Sequence, residues 1–142
     1  MGAVCWWPLA LLAAQPRPNP GLGPGEVIRT VVEALENRNS PRPNAGIFTV
    51  YQFAAPANRA LTGPYGKFLR LVTLPDFAPL LAVHPTTYGA LAVAGNHAEQ
   101  DVSIRVDNAR TVRYRFVVSR QTSQQTQGRC AGCWMVDGVI PQ

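Results

Sequence analysis

The spacing of apolar residues changes from helical to alternating near the middle of the chain. In residues 25–39, and again in residues 65–73, apolar side chains recur every three or four positions, which predicts two helices with one buried face each. Residues 46–55 are apolar and aromatic without a clean period, so they predict a short buried element of unspecified type. Pro75 ends the second helix, and Asp76 is a suitable N-cap for one further turn.

From Thr87 onward apolar and polar residues alternate, which predicts β-strands. Gly95-Asn96 predicts a two-residue hairpin turn. The pairs expected around this turn are Ala94 with His97, Val93 with Ala98, and Leu91 with Gln100. A last strand covers residues 133–140, with Trp134, Val136 and Ile140 on one side and Met135 and Val139 on the other. The pattern as a whole predicts an α+β domain, with N-terminal helices packed on an antiparallel sheet of about four strands.

One register of the central hairpin places all of its apolar residues on a single face. Its pairs are Val102 with Phe116, Ile104 with Tyr114, and Val106 with Val112. The opposite face then carries Glu99, Asp101, Ser103, Arg105, Arg113 and Arg115. A shift of one residue would bury arginines opposite Val102 and Ile104, and unpaired buried guanidinium groups are strongly destabilising.

The first 24 residues differ in composition from the rest of the chain. Residues 1–14 are nearly all apolar, but they are too few to span a bilayer as a helix. Their length suits a targeting leader, which indicates a secreted or organelle-targeted protein, although no Lys or Arg precedes them. Without such a leader the protein is soluble inside the cell. Residues 15–24 are rich in proline and glycine and predict a linker. We therefore expect residues 1–24 to add nothing to the core and residues 25–142 to form a single domain.

The charge balance is basic, with 13 Lys and Arg against 8 Asp and Glu in 142 residues, a net charge of +5. A basic chain invites a nucleic-acid interpretation. However, the arginines are spread from Arg17 to Arg129 without a dense run, and no recognition-helix or RNA-binding motif accompanies them. We expect no specific nucleic-acid partner.

The order of helix, aromatic segment, helix and curved antiparallel sheet resembles the nuclear-transport-factor-2-like superfamily, also called SnoaL-like, with its cone-shaped cystatin-type fold. Within it, the stretches FAAPANRALTGPYGKFLRLV (Phe53 to Val72) and GCWMVDGV (Gly132 to Val139) resemble the family called domain of unknown function 4864. The resemblance implies a cone-shaped cavity and a homodimer formed through the sheet. The superfamily includes isomerases, hydratases, dehydratases and binding modules, so the resemblance carries no catalytic residue onto this chain.

The sequence Cys130-Ala131-Gly132-Cys133 is a CxxC motif at the end of a polar loop, residues 121–132, that leads into a strand. One such pair supplies half of the four ligands of a structural zinc site. A thioredoxin-type redox motif would precede a helix rather than a strand. A metal site, a redox pair, a local disulfide and two incidental thiols all remain open. No other residues form a metal or cofactor motif, so we expect neither a metal ion nor a cofactor.

Four residues are candidates for contact with a ligand in the implied cavity: Asn58, Arg59, Tyr51 and Tyr114. Asn58 and Arg59 lie in a loop where they are placed to donate hydrogen bonds at the cavity mouth. Alternatively, Arg59 bonds nearby carbonyl groups and holds that loop. Tyr114 falls on the core face, where we expect it to pack with its hydroxyl at the cavity edge. Further acid–base candidates are Asp76, His84, Tyr88 and Asp137, and no spacing brings two of them together.

The family resemblance, together with the missing acid–base pair, implies two possible functions. The first is a non-catalytic module that binds a small apolar ligand or serves in assembly. The alternative is an enzyme of the isomerase or hydro-lyase type that uses the same cavity. A buried His, Asp or Glu beside a Tyr in the cavity would favour the enzyme, whereas an aliphatic and aromatic lining would favour the module.

Overall fold

The computed structural model describes residues 2, 15–122 and 130–142. The described part of the chain places its helices before its sheet, which confirms the α+β class. The helices are α1 (Pro24–Glu36), α2 (Ala45–Phe53), α3 (Pro56–Thr62), α4 (Tyr65–Val72) and a 3₁₀ helix (Pro75–Leu81). The strands are β1 (Thr86–Tyr88), β2 (Ala92–Ala94), β3 (His97–Arg105), β4 (Thr111–Arg120) and β5 (Trp134–Pro141). No helix in these residues is long and apolar enough to span a bilayer.

Helix α1 forms where the periodicity predicts a helix. Pro24 opens it, since the first residue of a helix needs no N–H donor. Its apolar stripe is buried and consists of Val27, Ile28, Val31, Val32 and Leu35. Residues before it also contact the domain, because Leu22 packs on the core and Thr49 donates to the side chain of Gln15. The expectation that residues 1–24 add nothing to the core is therefore wrong at Leu22, while the leader (residues 1–14) lies outside the described residues apart from Gly2.

The segment of unspecified type is helix α2, and most of its circumference is buried. Burial on several sides explains why its sequence lacks a clean apolar period. Gly46 allows this packing, because a Cβ there would collide with the carbonyl oxygen of Ala34 in α1 and with Cα of Arg38, just after α1 ends. The N–H of Gly46 also donates to the carbonyl of Arg38 at 2.8 Å. Helix α2 can therefore cross α1 at backbone contact only with glycine at this position.

The remaining helices agree with the sequence in part. Helix α4 confirms the second predicted helix, but α3 was not predicted. The turn after Pro75 is a 3₁₀ helix whose N-cap position is Leu74, without a side-chain capping bond. Asp76 lies in its first turn and is exposed, so the prediction of Asp76 as N-cap is wrong.

The sheet is antiparallel in the order β1-β3-β4-β5, and β2 also pairs with β3. Strands β1 and β2 therefore follow one another along the same edge of β3, separated by a break in which the N–H of Gly89 still donates to Asp101 at 2.8 Å. The break divides the first of the four predicted strands into β1 and β2, so the sheet has five strands. Residues 95–96 form the predicted turn, with Ala94 opposite His97 and Val93 opposite Ala98, whereas Leu91 lies outside β2.

The central hairpin keeps the predicted faces but not the predicted register. Ile104 pairs with Val112, Val102 with Tyr114, and Gln100 with Phe116, which is a shift of two residues. The cause is a tighter loop. The side chain of Asp107 accepts the N–H of Ala109 at 2.8 Å, and the N–H of Val106 bonds the carbonyl of Arg110 at 3.0 Å, so the strands meet two residues earlier. A shift of two preserves every face, because strand side chains alternate with period two.

The two faces of this hairpin separate apolar from charged residues as predicted. Val102, Ile104, Tyr114 and Phe116 are buried under the helices. On the other face Arg105 and Arg113 are exposed, while Ser103 and Arg115 are half-buried. Asp101 lies between two arginines, 3.0 Å from Nε of Arg115 and 3.9 Å from Nε of Arg113. The hydrogen bond from Arg115 lowers the pKa of the Asp101 carboxyl.

Strand β5 departs from the predicted alternation because it contains a bulge. Val117 and Val118 are consecutive in β4, but their partners are Gly138 and Val136, which leaves Asp137 as the extra residue. Val139 therefore lies on the core face with Val136, and Ile140 is exposed, so the predicted sides of Val139 and Ile140 are wrong. Asp137 is half-buried and accepts a hydrogen bond from Ser119 Oγ at 2.9 Å.

Truncation of Phe116 tests the assignment of faces. Its side chain is fully buried, so Phe116→Ala should lower the free energy of unfolding by about 3–5 kcal/mol. Arg113→Ala, on the solvent face of the same strand, should cost no more than about 0.5 kcal/mol. Chemical denaturation of both variants measures the difference, and equal losses would contradict the assignment.

A pair of glycine variants tests the crossing of α1 and α2. Gly46→Ala should destabilise the domain by about 1–3 kcal/mol or prevent folding, because the added methyl group meets backbone atoms that cannot rotate away. Gly66→Ala is the matched control, since a Cβ at Gly66 in α4 meets nothing within 4 Å. That variant should gain up to about 1 kcal/mol from helix propensity. Thermal melts that rank the two variants the other way would refute the crossing.

Candidate functional site

An apolar cavity of about 210 Å³ lies between the helices and β5. Its lining comes from every helix and from β5, namely Leu35, Val50, Ala54, Asn58, Thr62, Phe68, Leu71, Val72, Phe77, Leu80, Val136, Gly138 and Val139. Within this lining only Asn58 and Thr62 have polar side chains, and none is ionisable. The cavity therefore offers an apolar, uncharged environment with one polar corner.

The chain reaches this corner by pairing with the edge of β5. After α2 ends at Phe53, the backbone extends, Ala54 bridges Val136, and the N–H of Ala55 donates to the Val136 carbonyl at 2.8 Å. Pro56 then begins α3 with its fixed φ. Four residues apart on this helix, Asn58 and Thr62 lie on the same face.

Both polar residues are tied down by short hydrogen bonds. The amide Nδ2 of Asn58 donates to the same Val136 carbonyl at 3.1 Å. The hydroxyl of Thr62 donates to the backbone carbonyl of Asn58 at 3.0 Å. The first bond fixes Asn58 against the sheet, and the second lies within α3. Both residues are half-buried at the rim of the cavity.

Arg59 points away from the cavity and holds the end of α2. Its guanidinium donates to the carbonyls of Tyr51 (2.8 and 3.1 Å) and Gln52 (3.1 Å). It also lies 4.5 Å from the centre of the Tyr51 ring. A cation at the C-terminus of a helix pairs with carbonyls that have no partner within the helix. Arg59 therefore bonds nearby carbonyl groups as predicted, whereas the prediction that Asn58 and Arg59 lie in a loop is wrong, because both lie in α3.

The two tyrosine candidates do not reach the cavity either. Tyr51 is half-buried among the rings of Tyr65 and Phe68, with ring centroids 5.4 and 5.3 Å away. Tyr114 lies at another place in the core, where its hydroxyl donates to the carbonyl of Asp76 at 2.7 Å. Burial raises the pKa of the Tyr114 hydroxyl, and the Asp76 carboxylate adds to this effect. Of the four predicted ligand contacts, only Asn58 lines the cavity.

The structure brings together three acid–base candidates that no spacing in the sequence placed near one another. Asp76, His84 and Tyr114 line a separate groove of about 480 Å³, together with Arg110. The 3₁₀ helix and the segment before β1 meet β4 there, so the grouping arises from tertiary packing. Tyr88 lies elsewhere, half-buried, with Arg29 at 4.5 Å from its ring centre.

Sequence reasoning missed Thr62 and the aliphatic walls of the cavity. Thr62 had a local signal, because Pro56 followed by Ala57, Ala60 and Leu61 is a short helix-forming run that places residue 62 one turn after Asn58. The walls had no such signal, since a side chain that faces a cavity has the same sequence pattern as one that fills a core.

The CxxC pair is a disulfide in this structure, joining Cys130 and Cys133 at the start of β5. This pairing excludes two free thiols in this structure, and it fits both a local disulfide and the oxidised form of a redox pair. Among residues 2, 15–122 and 130–142, no group of three or more His, Cys, Asp or Glu side chains is placed to hold a metal ion. Residues 123–129 of the predicted polar loop lie outside the described residues.

Comparisons with protein-family models, with curated proteins and with solved structures found no match to this chain. The geometry of the cavity is therefore the basis for a functional proposal.

Truncation of Arg59 tests its role in stabilising the C-terminal end of α2. Arg59→Ala removes three hydrogen bonds to the end of α2, and hydrogen bonds from a charged group contribute about 1.5–3 kcal/mol. Arg59 is half-buried, so we expect a loss at the lower end, about 1–2 kcal/mol. Arg70→Ala on the exposed side of α4 should change the free energy of unfolding by less than about 0.5 kcal/mol. Equal stability of the two variants in urea would refute this role.

Proposed function

We propose that this domain is a non-catalytic module that binds a small apolar ligand in the cavity between its helices and β5. The observation that carries the proposal is the lining itself, which is aliphatic and aromatic apart from Asn58 and Thr62. Apolar walls gain free energy when a ligand displaces water or fills empty space beside them.

The size of the cavity limits the ligand. An apolar cavity of about 150 Å³ engineered into another protein stays dry and binds benzene. The volume here, about 210 Å³, is somewhat larger, so it accommodates a single six-membered ring with a small substituent. Burying about 200 Å² of apolar surface gains about 5 kcal/mol before the loss of translational freedom is subtracted. A gain of about 5 kcal/mol alone corresponds to about 0.2 mM, and the loss of translational freedom weakens this value, so we expect dissociation constants of about 1 mM or higher.

An enzyme of the isomerase or hydro-lyase type is the alternative, and the second groove is the observation that favours it. A carboxyl group, an imidazole and a phenol line that groove in Asp76, His84 and Tyr114. The phenol already donates its proton to a backbone carbonyl, and Asp76 is exposed to solvent. General acid–base catalysis is more effective in a site that excludes water. The groove lacks this property at Asp76, so we favour ligand binding in the cavity over catalysis in the groove.

Assembly through the outer face of the sheet is a further part of the proposal. This face carries Glu99 towards the β2–β3 turn and Arg105 and Arg113 towards the other end. Two copies related by a two-fold axis would place the acidic end of one against the basic end of the other. Native mass spectrometry at low and high salt tests this arrangement, since a dimer held by these charges would weaken as salt rises.

Binding of benzene tests the cavity. Benzene should shift backbone amide resonances of α2, α4 and β5 in ¹H–¹⁵N spectra. It should also raise the free energy of unfolding by about 1.4 kcal/mol at ten times its dissociation constant. Val72→Phe should fill part of the cavity and abolish both effects, because Val72 forms part of its wall. If Val72→Phe does not fold, Val139→Leu replaces it as the cavity-filling variant, because it adds a smaller group to the part of the wall formed by β5.

Val83→Phe is the matched control. Val83 is 73% exposed and lies outside the cavity, so the same added ring should leave benzene binding unchanged. Benzene shifts that persist in Val72→Phe and Val139→Leu, or no binding to the unmodified protein, would overturn the proposed function.

A further inference from the structure

The polar corner of the cavity has more hydrogen-bonding capacity than the protein uses. The amide of Asn58 carries one acceptor oxygen and two N–H donors, and the hydroxyl of Thr62 carries one donor and two lone pairs. One N–H of Asn58 is used by the Val136 carbonyl, and the Thr62 proton is used by the Asn58 carbonyl. Among the described residues, no donor reaches Oδ1 of Asn58 or Oγ1 of Thr62.

The orientation of the Asn58 amide follows from its partner. The Val136 oxygen can only accept, so the Asn58 atom that contacts it at 3.1 Å must be the nitrogen. The Ala55 N–H, at 2.8 Å from the same oxygen, confirms that this carbonyl acts as an acceptor for two donors. Oδ1 is therefore the unused end of the amide.

Two acceptors and one N–H thus remain for a ligand in a cavity that is otherwise apolar. A hydroxyl group matches this set, because it donates one hydrogen bond and accepts another. A ketone of the same size only accepts, so it can use the remaining N–H of Asn58 but gives neither acceptor a donor. A carboxylate or an ammonium group has no opposite charge in the lining, and burying it would be strongly unfavourable.

We propose that the cavity selects a small neutral alcohol or phenol, whose hydroxyl binds at Asn58 and Thr62 while its ring or alkyl body fills the apolar space. This inference rests on the proposed function and adds the chemical class of the ligand. It makes Thr62 a specificity-determining residue, since its hydroxyl oxygen has a lone pair available to receive the ligand proton.

Cyclohexanol and cyclohexanone form the matched pair of probes, because they share a carbon skeleton and differ in the donor. Titrations followed in ¹H–¹⁵N spectra should show cyclohexanol binding about ten-fold more tightly than cyclohexanone, the effect of about one hydrogen bond. Thr62→Val preserves the shape of the side chain and removes its oxygen, so the ratio of the two dissociation constants should fall towards one. Thr62→Ser keeps the hydroxyl and should keep the preference.

Thr73→Val is the control outside the cavity. Thr73 directly follows α4, and its hydroxyl also bonds the backbone carbonyl four residues earlier, at 2.9 Å, but it does not line the cavity. This variant should retain the full preference for cyclohexanol. A ratio near one in the unmodified protein, or a ratio that Thr62→Val leaves unchanged, would overturn the inference while benzene binding still supports the module. If benzene, cyclohexanol and cyclohexanone all fail to bind, the proposed function itself is wrong.

Discussion

The carbonyl oxygen of Val136 ties the helical layer to the sheet, and the position of the cavity depends on it. Strand β5 forms an edge of the sheet, so its outward carbonyls have no neighbouring strand to bond. The N–H of Ala55 and the side chain of Asn58 both donate to this oxygen. A buried carbonyl without a partner is strongly unfavourable, so the chain that leaves α2 has to follow β5 before it turns into α3.

The cavity follows from how this tie places α3. None of the residues of α3 is buried, so the helix spans the space between α2 and α4 without filling it. Helix α3 contributes only Asn58 and Thr62 to the cavity lining. The apolar walls come from the other helices, from Ala54 and from β5. The same bonds that position α3 use one donor of Asn58 and the donor of Thr62. Structural stability and ligand selectivity therefore depend on the same few polar atoms.

Local patterns predicted the elements and the faces of the sheet, but not the register. Alternation with period two assigns each side chain to a face, and a shift of two residues leaves that assignment intact. The side-chain turn at Asp107 decided between the two registers, and a pattern of apolar residues contains no information about it. The bulge at Asp137 is a similar case, because it is defined only by the partners of its neighbours in β4.

The sequence by itself determined the α+β class, helices α1 and α4, the turn at Gly95-Asn96 and the separation of charged from apolar residues on the central strands. Each of these depends on contacts between residues close in the chain or on simple alternation. Only the tertiary structure decided that Asn58 lines the cavity and that Arg59 does not, since the two are adjacent in the chain and both can donate hydrogen bonds. The deciding contacts join Asn58 to residue 136 and Arg59 to the end of α2, and the first of these spans 78 residues. A bond of that separation forms only after the helices and the sheet have packed, so no local pattern records it.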